Sequence, residues 1–399
     1  MITEICNEDS CTGCKLCYDV CPKKCISFVE DACGFSYPII DHNVCINCEL
    51  CKTKCPSNQS FDTHHCSFYM GIHNDYEVLK ESSSGGAFSA IAEYVLKNDG
   101  VVFGATIEND SKIVKHIAVE KNEDLYKLRK SKYYQSDTKN LYINVLEKLK
   151  EGKKVLLTGT ACQIAAVYSY IPQIYYDKLI TVDVLCHGIS SKKIVDSFIQ
   201  SEEKYFNKKI ENYFFRIKEP FGWLSGGCTK MKLVFEDKTS YIKTDGINDF
   251  FLAFNKNVAL RESCYKCKYC GVDRISDFTL ADFWGVTEKR ANLEKQKNGI
   301  SIVTFNSDKA IQLKNQLREY MYLEKIDSSE AIPFNNAFIE PNTRPINRDR
   351  FYDMMDKNVN FHNIVNKLYW KYKLKMKIKS ILGPSIVNGI KRFKNGRKN

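Results

Sequence analysis

Residues 11–22 read CTGCKLCYDVCP, and residues 45–56 repeat that pattern as CINCELCKTKCP. Each run has three cysteines at two-residue gaps and then a fourth cysteine that is followed by proline. Twelve of the 18 cysteines lie within residues 1–66. In a reducing cytosol this density indicates metal ligation, since a disulfide framework would not persist there. Three thiolates at such gaps can wrap a loop around three corners of an iron–sulfur cube.

The fourth cysteine of each run is too far along the chain to close its own site and is expected to reach the other cube. This exchange predicts two 4Fe-4S clusters, one held by Cys11, Cys14, Cys17 and Cys55 and the other by Cys45, Cys48, Cys51 and Cys21. A pair of zinc sites is the alternative. Zinc takes its four ligands as two separated pairs, however, and that leaves the third cysteine and the two prolines without a reason.

The segment resembles the bacterial two-cluster ferredoxin module, which implies an α+β domain over residues 1–66 with its two clusters close enough for electron hopping. Residues 26–29 and 35–40 predict a short hairpin in the middle of this domain. Four further cysteines fit no ligand spacing, and we expect them to shield the cubes from water as small buried residues. They are Cys6, Cys25, Cys33 and Cys66.

A larger α/β domain is predicted over residues 67–350, where apolar strands alternate with amphipathic helices. Residues 101–106 and 113–119 predict a hairpin, and residues 154–158 and 180–185 predict strands of a sheet covered on both faces. A loop that reads ESSSGG precedes a helix starting near Ala87. Serine hydroxyls and glycine amides at a helix start can seat a phosphate, although such loops are also common where nothing binds.

Two lone cysteines, Cys162 and Cys186, follow the ends of predicted strands, and the carboxyl ends of parallel strands share one rim of a sheet. Residues 264–270 read CYKCKYC and again space three cysteines by two residues, but no Cys-Pro follows. A third 4Fe-4S cluster here would take its last ligand from Cys162 or Cys186. A zinc knuckle is the alternative.

Six short motifs, in order along the chain, carry a resemblance to a known family. They are Ser83-Ser84-Gly85-Gly86, Lys132-Tyr133-x-Gln135-Ser136, Gly159-Thr160-x-Cys162-Gln163, Cys186-His187-Gly188, Cys264-x-x-Cys267 and Asp282-Phe283-Trp284-Gly285. The stretch from about Cys66 to Arg350 resembles the beta subunit of the coenzyme F420 hydrogenase/dehydrogenase family, with a ferredoxin module fused in front.

The resemblance implies a flavin, usually FAD, beside an iron–sulfur cluster, and electron transfer to a deazaflavin or another acceptor. It places the flavin at Ser83, Ser84, Gly85, Gly86, Lys132 and Gln135. Lys132 would offset phosphate charge and Gln135 would hydrogen-bond the ring or the ribityl chain. A solvated helix lysine is the alternative interpretation of Lys132.

The resemblance also implies a ligand set for the third cluster. The set is Cys162, Cys186, Cys264 and Cys267. Cys270 competes with Cys186 for the last position. Members of the family often carry only the Cys-x-x-Cys pair, so the extra Cys270 of this chain leaves the assignment open.

Residues 351–399 are predicted to form a basic helical tail. Residues 367–399 contain 11 Lys or Arg and no Asp or Glu, which accounts for the whole formal charge of +11. The rest of the chain is balanced, with 48 basic and 48 acidic residues, and this argues against a nucleic-acid partner. The tail lies on an anionic bilayer surface, stays solvated, or packs on the core through Leu368, Tyr372 and Ile378.

The chain shows no apolar run long enough to span a bilayer and no signal-peptide pattern, which predicts a cytoplasmic protein with peripheral membrane contact through the tail as an option. The predicted function is an iron–sulfur flavoprotein oxidoreductase that relays electrons between a ferredoxin-like donor and a small-molecule two-electron acceptor. A flavin is the natural converter between one-electron and two-electron carriers. The alternatives are a non-catalytic electron-transfer subunit of a larger redox complex and a reductase of a sugar or other metabolite.

Overall fold

The computed structural model describes residues 4–218, 222–223, 229–243, 247–286 and 298–395. The N-terminal module contains the predicted hairpin, with strand β1 (Ile26–Glu30) antiparallel to β2 (Ser36–Ile40). Two short helices, α1 (Leu16–Val20) and α2 (Leu50–Thr53), carry the third cysteine of each run. The internal repeat of the sequence is therefore also a repeat of local structure.

The backbone of the two cysteine runs shows the same unusual conformation at equivalent positions. Gly13 and Lys15 in the first run, and Asn47 and Glu49 in the second, all have φ between 54° and 67°. Left-handed residues are uncommon outside glycine. Placed on either side of a cysteine, they curl each loop so that backbone N–H groups line a concave surface, as in many iron–sulfur sites.

The larger domain is built on one mixed sheet. Its strands and those of the small sheets beside it are β3 (His64–His65), β4 (Ser67–His73), β5 (Val101–Ile107), β6 (Val114–Val119), β7 (Val155–Thr160), β8 (Leu179–Val184), β9 (Ile210–Phe215), β10 (Met231–Phe235), β11 (Ser240–Ile242), β12 (Asp273–Arg274), β13 (Phe278–Asp282), β14 (Ser301–Phe305) and β15 (Met321–Lys325). Within the described residues the large sheet has the order β15-β4-β14-β13-β8-β7-β5-β6. The four central strands β13, β8, β7 and β5 are parallel, and the outer pairings are antiparallel.

Helices cover both faces of this sheet, as the apolar strands predicted. They are α3 (Tyr76–Glu81), α4 (Ala87–Lys97), α5 (Leu141–Lys150), α6 (Ala161–Tyr170), α7 (Lys192–Phe206), α8 (Asp249–Asn255), α9 (Asp308–Gln312), α10 (Lys314–Leu317), α11 (Ser328–Ala331), α12 (Arg348–Asp356) and α13 (Phe361–Asn395). Successive residues of β7 alternate between two cores: Val155 and Leu157 pack with α5 and α6, whereas Leu156 packs with α4. A strand buried on both faces must be apolar throughout, which explains its unbroken apolar sequence.

The N-terminal module packs against this domain at several points. Leu16 is 0% exposed and belongs to the core of α5 and α6. The Asp19 carboxylate accepts hydrogen bonds from Asn140 N (2.7 Å) and Tyr142 N (3.2 Å), where α5 begins. A carboxylate there satisfies free N–H groups and complements the helix dipole. The module is therefore fixed against the sheet domain.

The first part of the basic tail packs on the protein. Phe361, Ile364 and Val365 are fully buried in a core with α7 and α8, and Leu368 and Tyr372 pack against the same core. Ile378, the third residue of the predicted packing face, is 46% exposed. The chain therefore shows no break in packing at the predicted domain boundary at residue 350. Among the described residues, no helix combines the length and apolarity that a membrane crossing requires.

Candidate iron–sulfur and flavin sites

The fourth cysteine of each run lies with the first three of the other run, as the sequence predicts. The cavity that we call the outer site is lined by Cys21, Cys45, Cys48 and Cys51, together with Cys25. The space among these residues, which includes open solvent, amounts to about 320 Å³. Cys48 is exposed to solvent. The outer site therefore reaches the protein surface through one of its own thiols.

The second cavity, the inner site, is lined by Cys11, Cys14, Cys17 and Cys55, together with Cys6, and encloses about 350 Å³. Thr138 Oγ1 and Tyr142 Oη both donate to the Cys14 carbonyl, at 2.6 and 2.8 Å. These contacts turn the inner site towards the sheet domain. The inner site is therefore the one that faces the rest of the protein.

Two of the four unassigned cysteines line these cavities, and the other two do not. Cys25 Sγ lies 3.4 Å from Cys21 Sγ in the outer site, and Cys6 hydrogen-bonds to Cys11 and Cys55 in the inner site. The hydrogen bond from Cys6 is the main reason why the pKa of Cys11 is lowered. Cys33 instead packs beside the core of α7 and α8, and Cys66 donates to Val272 O at 2.7 Å in the sheet domain. The expectation that they shield the cubes is wrong for these two.

A third group of thiols lies at the carboxyl rim of the parallel strands. Its members are Cys162, Cys186, Cys264, Cys267 and Cys270. We call this group the third site. Burial raises the pKa of Cys186 well above its usual value, and the neighbouring Cys264, Cys162 and Cys267 raise it further. The two lone cysteines and the third run therefore converge, as the strand-end argument predicted.

Local structure explains why Cys162 points to this rim. Thr160 and Gln163 form a capping box at the start of α6, with Thr160 N donating to Gln163 Oε1 at 2.9 Å. The box fixes the first turn of the helix, and Cys162 lies in that turn. The loop that carries Cys264 and Cys267 is held by Arg274, which pairs with the buried Asp183 at 2.8 Å and donates to Tyr269 O at 2.7 Å.

The third site lies next to the inner site. Charge on Cys162 raises the pKa of Cys14, although burial is the larger cause. Tyr142 and Tyr269 each lie near thiols of both sites: burial raises their pKa values first, and Cys14 and Cys162 add to the effect. The three sites therefore follow one another from the surface at Cys48 to the rim of the sheet.

The donor chemistry and dimensions of these sites suit clusters. Cysteine is the metal-ligating residue type that each site gathers, and thiolates select iron–sulfur clusters among few alternatives. Within the described ranges, no three His, Cys, Asp or Glu side chains approach closely enough to hold a single metal ion. Zinc draws its sulfur ligands to about 2.3 Å from one centre. At the outer and inner sites, cavities lined by at least four cysteines can hold a four-iron cube, while a zinc knuckle stays the alternative at the third site.

The two segments predicted to hold the flavin lie beside each other. Ser131 N and Oγ donate to Ser83 Oγ at 2.9 and 3.1 Å, which joins the loop at 83–86 to the segment at 132–136. Ser84 Oγ donates to Ile300 O at 2.9 Å. A Cβ on Gly85 would lie 2.2 Å from Gly71 O, so the glycine also serves a close backbone approach. Gly86, with φ of 80°, is the N-cap of α4.

Lys132 is half-buried, and backbone carbonyls hold its ammonium group. Its Nζ donates to Leu128 O and Arg129 O at 3.0 and 2.6 Å. Burial lowers the pKa of Lys132 to about 7. The nearby His116, which the sequence did not single out, has its Nε2 3.1 Å from Thr158 O, while its buried Nδ1 has no partner. Burial lowers the pKa of His116 to about 4, so it is neutral at physiological pH.

Gln135 has partners in the N-terminal module. Its Nε2 donates to Thr12 O and Gly13 O at 3.1 and 2.9 Å, and its Oε1 accepts from Arg261 Nη1 at 3.0 Å. The flavin contact of Gln135 stays a prediction. Arg261, which precedes the third cysteine run and is 0% exposed, was missed by the sequence analysis.

Comparison with known families finds three matches along the chain. Residues 10–59 match a 4Fe-4S dicluster domain, residues 68–142 match the coenzyme F420 hydrogenase/dehydrogenase beta subunit N-terminal domain, and residues 152–330 match the C-terminal domain of that subunit. No curated protein sequence matches significantly.

Thirteen chains of solved structures match. One of them belongs to the xenon-derivatized F420-reducing [NiFe] hydrogenase complex from Methanosarcina barkeri, at 16% identity and a TM-score of 0.47. The match covers 77% of this chain and 95% of that one.

Proposed function

The chain belongs to the coenzyme F420 hydrogenase/dehydrogenase beta subunit family and carries a 4Fe-4S dicluster domain, and from this we propose that it is an iron–sulfur flavoprotein oxidoreductase. It would relay electrons between a low-potential ferredoxin-like protein and a small-molecule two-electron acceptor in the cytoplasm. When bound, the clusters supply one-electron transfer and the flavin supplies conversion to two-electron chemistry. The observation that carries the proposal is the series of three thiol groups from the surface to the sheet rim.

The outer site is proposed as the place where the protein partner exchanges electrons. Cys48 is its exposed thiol, and Ile46 and Leu50 beside it are 55% and 40% exposed. Electron transfer between proteins needs a short path through the contact, and an exposed ligand gives one. The inner site lies against the sheet domain and would hold the next cluster along the path.

At the third site, Cys162, Cys186, Cys264 and Cys267 are proposed as ligands. The side chain of Cys270 hydrogen-bonds to Cys267, and this bond is the main reason why the pKa of Cys267 is lowered. Cys6 acts in the same way on Cys11 at the inner site. By that analogy Cys270 is an accessory donor and Cys186 completes the set of ligands.

The flavin is proposed beside the Ser83–Gly86 loop, near the half-buried side chains of Lys132 and His116. Lys132, with a pKa near neutrality, would gain a proton next to a phosphate, because a nearby anion favours the charged form. The unpartnered Nδ1 of His116 is an acceptor, since Nε2 must carry the proton that it donates to Thr158 O. It would accept a hydrogen bond from a flavin N–H or a ribityl hydroxyl.

A non-catalytic electron-transfer subunit of a larger redox complex is the second candidate. It is favoured because a residue predicted to bind the flavin already hydrogen-bonds within the protein: the Gln135 side chain donates to Thr12 O and Gly13 O. Flavin content distinguishes the two candidates. The catalytic protein holds one flavin per chain, whereas a subunit that only carries electrons has no need of one.

The test is anaerobic purification followed by measurement of iron, sulfide and flavin. We expect roughly twelve irons and twelve sulfides per chain, from three four-iron clusters, and one flavin. Cys264→Ala should lose about a third of the iron, while the matched control Cys33→Ala should lose none. Unchanged iron in Cys264→Ala would refute the third cluster, and iron without flavin would favour the second candidate.

A further inference from the structure

Arg261 is a buried cation without a carboxylate partner. The residue is 0% exposed, and among the ion pairs of the described part of the chain it has none. Its Nε donates to Cys11 O at 2.7 Å, Nη1 to Gln135 Oε1 at 3.0 Å and Nη2 to Ser36 O at 3.1 Å. The Tyr37 ring lies 4.2 Å from its Cζ. All of these partners are neutral.

A guanidinium cannot lose its proton in a protein, so it must be balanced in another way. Burying an unpaired charge is expensive, and native proteins pair such charges or place them next to metal sites. Arg261 Nη2 lies 3.5 Å from Cys11 Sγ in the inner site. No carboxylate balances the charge of Arg261. We therefore expect the negative counter-charge to come from a cluster held by the thiolates of the inner site.

Arg261 also acts on the third site. It lies three residues before Cys264, and its backbone N donates to Ile189 O at 2.9 Å, in the loop that follows Cys186. The backbone N of Cys264 donates to Arg261 O at 3.0 Å, because Arg261 caps the helical turn that carries Cys264. One cation therefore lies between thiols of two different sites.

We propose that Arg261 is the fixed counter-charge shared by the inner and third sites, and that it raises the reduction potential of a cluster bound at either one relative to the outer site. This inference rests on the proposed iron–sulfur function. Reduction of a cluster adds one electron and one negative charge, and the proposal involves no proton transfer. A nearby cation stabilises the reduced form, and net charge and hydrogen bonds to sulfur are two of the levers that set such potentials.

The consequence is directional. The outer site has Lys23 at its edge, but Lys23 is exposed to solvent, where water and salt screen its charge. Arg261 is fully buried and is screened much less. An electron that arrives at the exposed end of the series is therefore drawn towards the sheet domain.

The test is a redox titration of the iron-loaded full-length protein, followed by electron paramagnetic resonance. The signal of the outer cluster is identified as the one lost in Cys48→Ala. Arg261→Gln should lower the equilibrium constant for reduction of each of the other two clusters at least about tenfold. For one electron this corresponds to a reduction potential that is lower by about 59 mV. Arg261→Lys, which keeps the charge, should lie closer to the wild type, and the outer cluster should not shift.

Unchanged potentials in Arg261→Gln at full iron content would overturn the inference, as would an equal shift of all three clusters. If Arg261→Gln loses iron, the variant Gln135→Glu provides the test instead. It places a carboxylate beside Arg261 Nη1 and should lower the reduction potentials of the inner and third clusters. Unchanged potentials in Gln135→Glu would overturn the inference. If the wild-type protein contains fewer than three clusters by iron and sulfide content, the proposed function is contradicted before any variant is compared.

Discussion

The inner and outer sites come from one repeated sequence pattern and share one backbone conformation, yet their surroundings differ. Leu16 and Leu50 occupy equivalent positions in the two runs, and their exposures are 0% and 40%. The Asp19 side chain caps α5, whereas its counterpart Thr53 is exposed and its hydroxyl donates to Glu49 O and Leu50 O in its own turn. Equal motifs therefore give equal ligand geometry, while the packing around them decides which end faces a partner.

The largest expected effect is the difference in unfolding free energy between variants of Leu16 and Leu50. Leu16→Ala should lower the free energy of unfolding by about 2–5 kcal/mol, because it leaves a cavity in a packed core. Leu50→Ala should change it by no more than about 0.5 kcal/mol, as is usual for surface positions. Anaerobic urea unfolding of the iron-loaded protein measures both. Equal losses of unfolding free energy in the two variants would mean that packing stabilises both cysteine runs to the same extent.

The next effect is on the Asp19 and Thr53 pair. Asp19→Ala should cost about 1–2 kcal/mol, because the N–H groups of Asn140 and Tyr142 lose their acceptor at the start of α5. Thr53→Ala, the matched control, should stay within about 0.5 kcal/mol. The same unfolding measurement applies. A loss in Thr53→Ala as large as that in Asp19→Ala would contradict the asymmetry.

The smallest effect leaves the fold in place and concerns iron loss. Mild oxidation with a chelator present should remove iron first from the outer site, because Cys48 is exposed and the thiols of the inner site are shielded by the sheet domain. About a third of the iron should leave in a fast phase, with little change in the circular dichroism spectrum. A single phase for all of the iron would show that exposure of Cys48 does not control access.

Much of the site could be predicted because ligand spacing is a local property. The gaps within each run fix which thiols can share a cube, and the structure groups the cysteines of the module in the two predicted sets. The hairpin at β5 and β6 and the buried strands β7 and β8 were also predicted from apolar pattern. The antiparallel half of the sheet was not, because β4, β14 and β15 are joined by pairings far apart in the chain.

The residues that the sequence analysis missed or misjudged depend on neighbours that are distant in sequence. Cys66 was expected near the cubes, but it bonds to Val272, 206 residues away. The contact of the Gln135 amide with Thr12, 123 residues away, was likewise missed, while its flavin role stays a prediction. No pattern within a window of the sequence encodes such contacts.

The sequence by itself determined the cysteine spacing that predicts the thiol sets, because three cysteines at two-residue gaps and a fourth before proline leave few ways to close a cube. Only the tertiary structure decided that one site is exposed and the other is buried against the sheet, and that Arg261 lies between two sites. The physical reason is that ligand spacing is set by a few consecutive backbone torsions. Burial and charge balance are instead set by which distant surfaces the folded chain brings together.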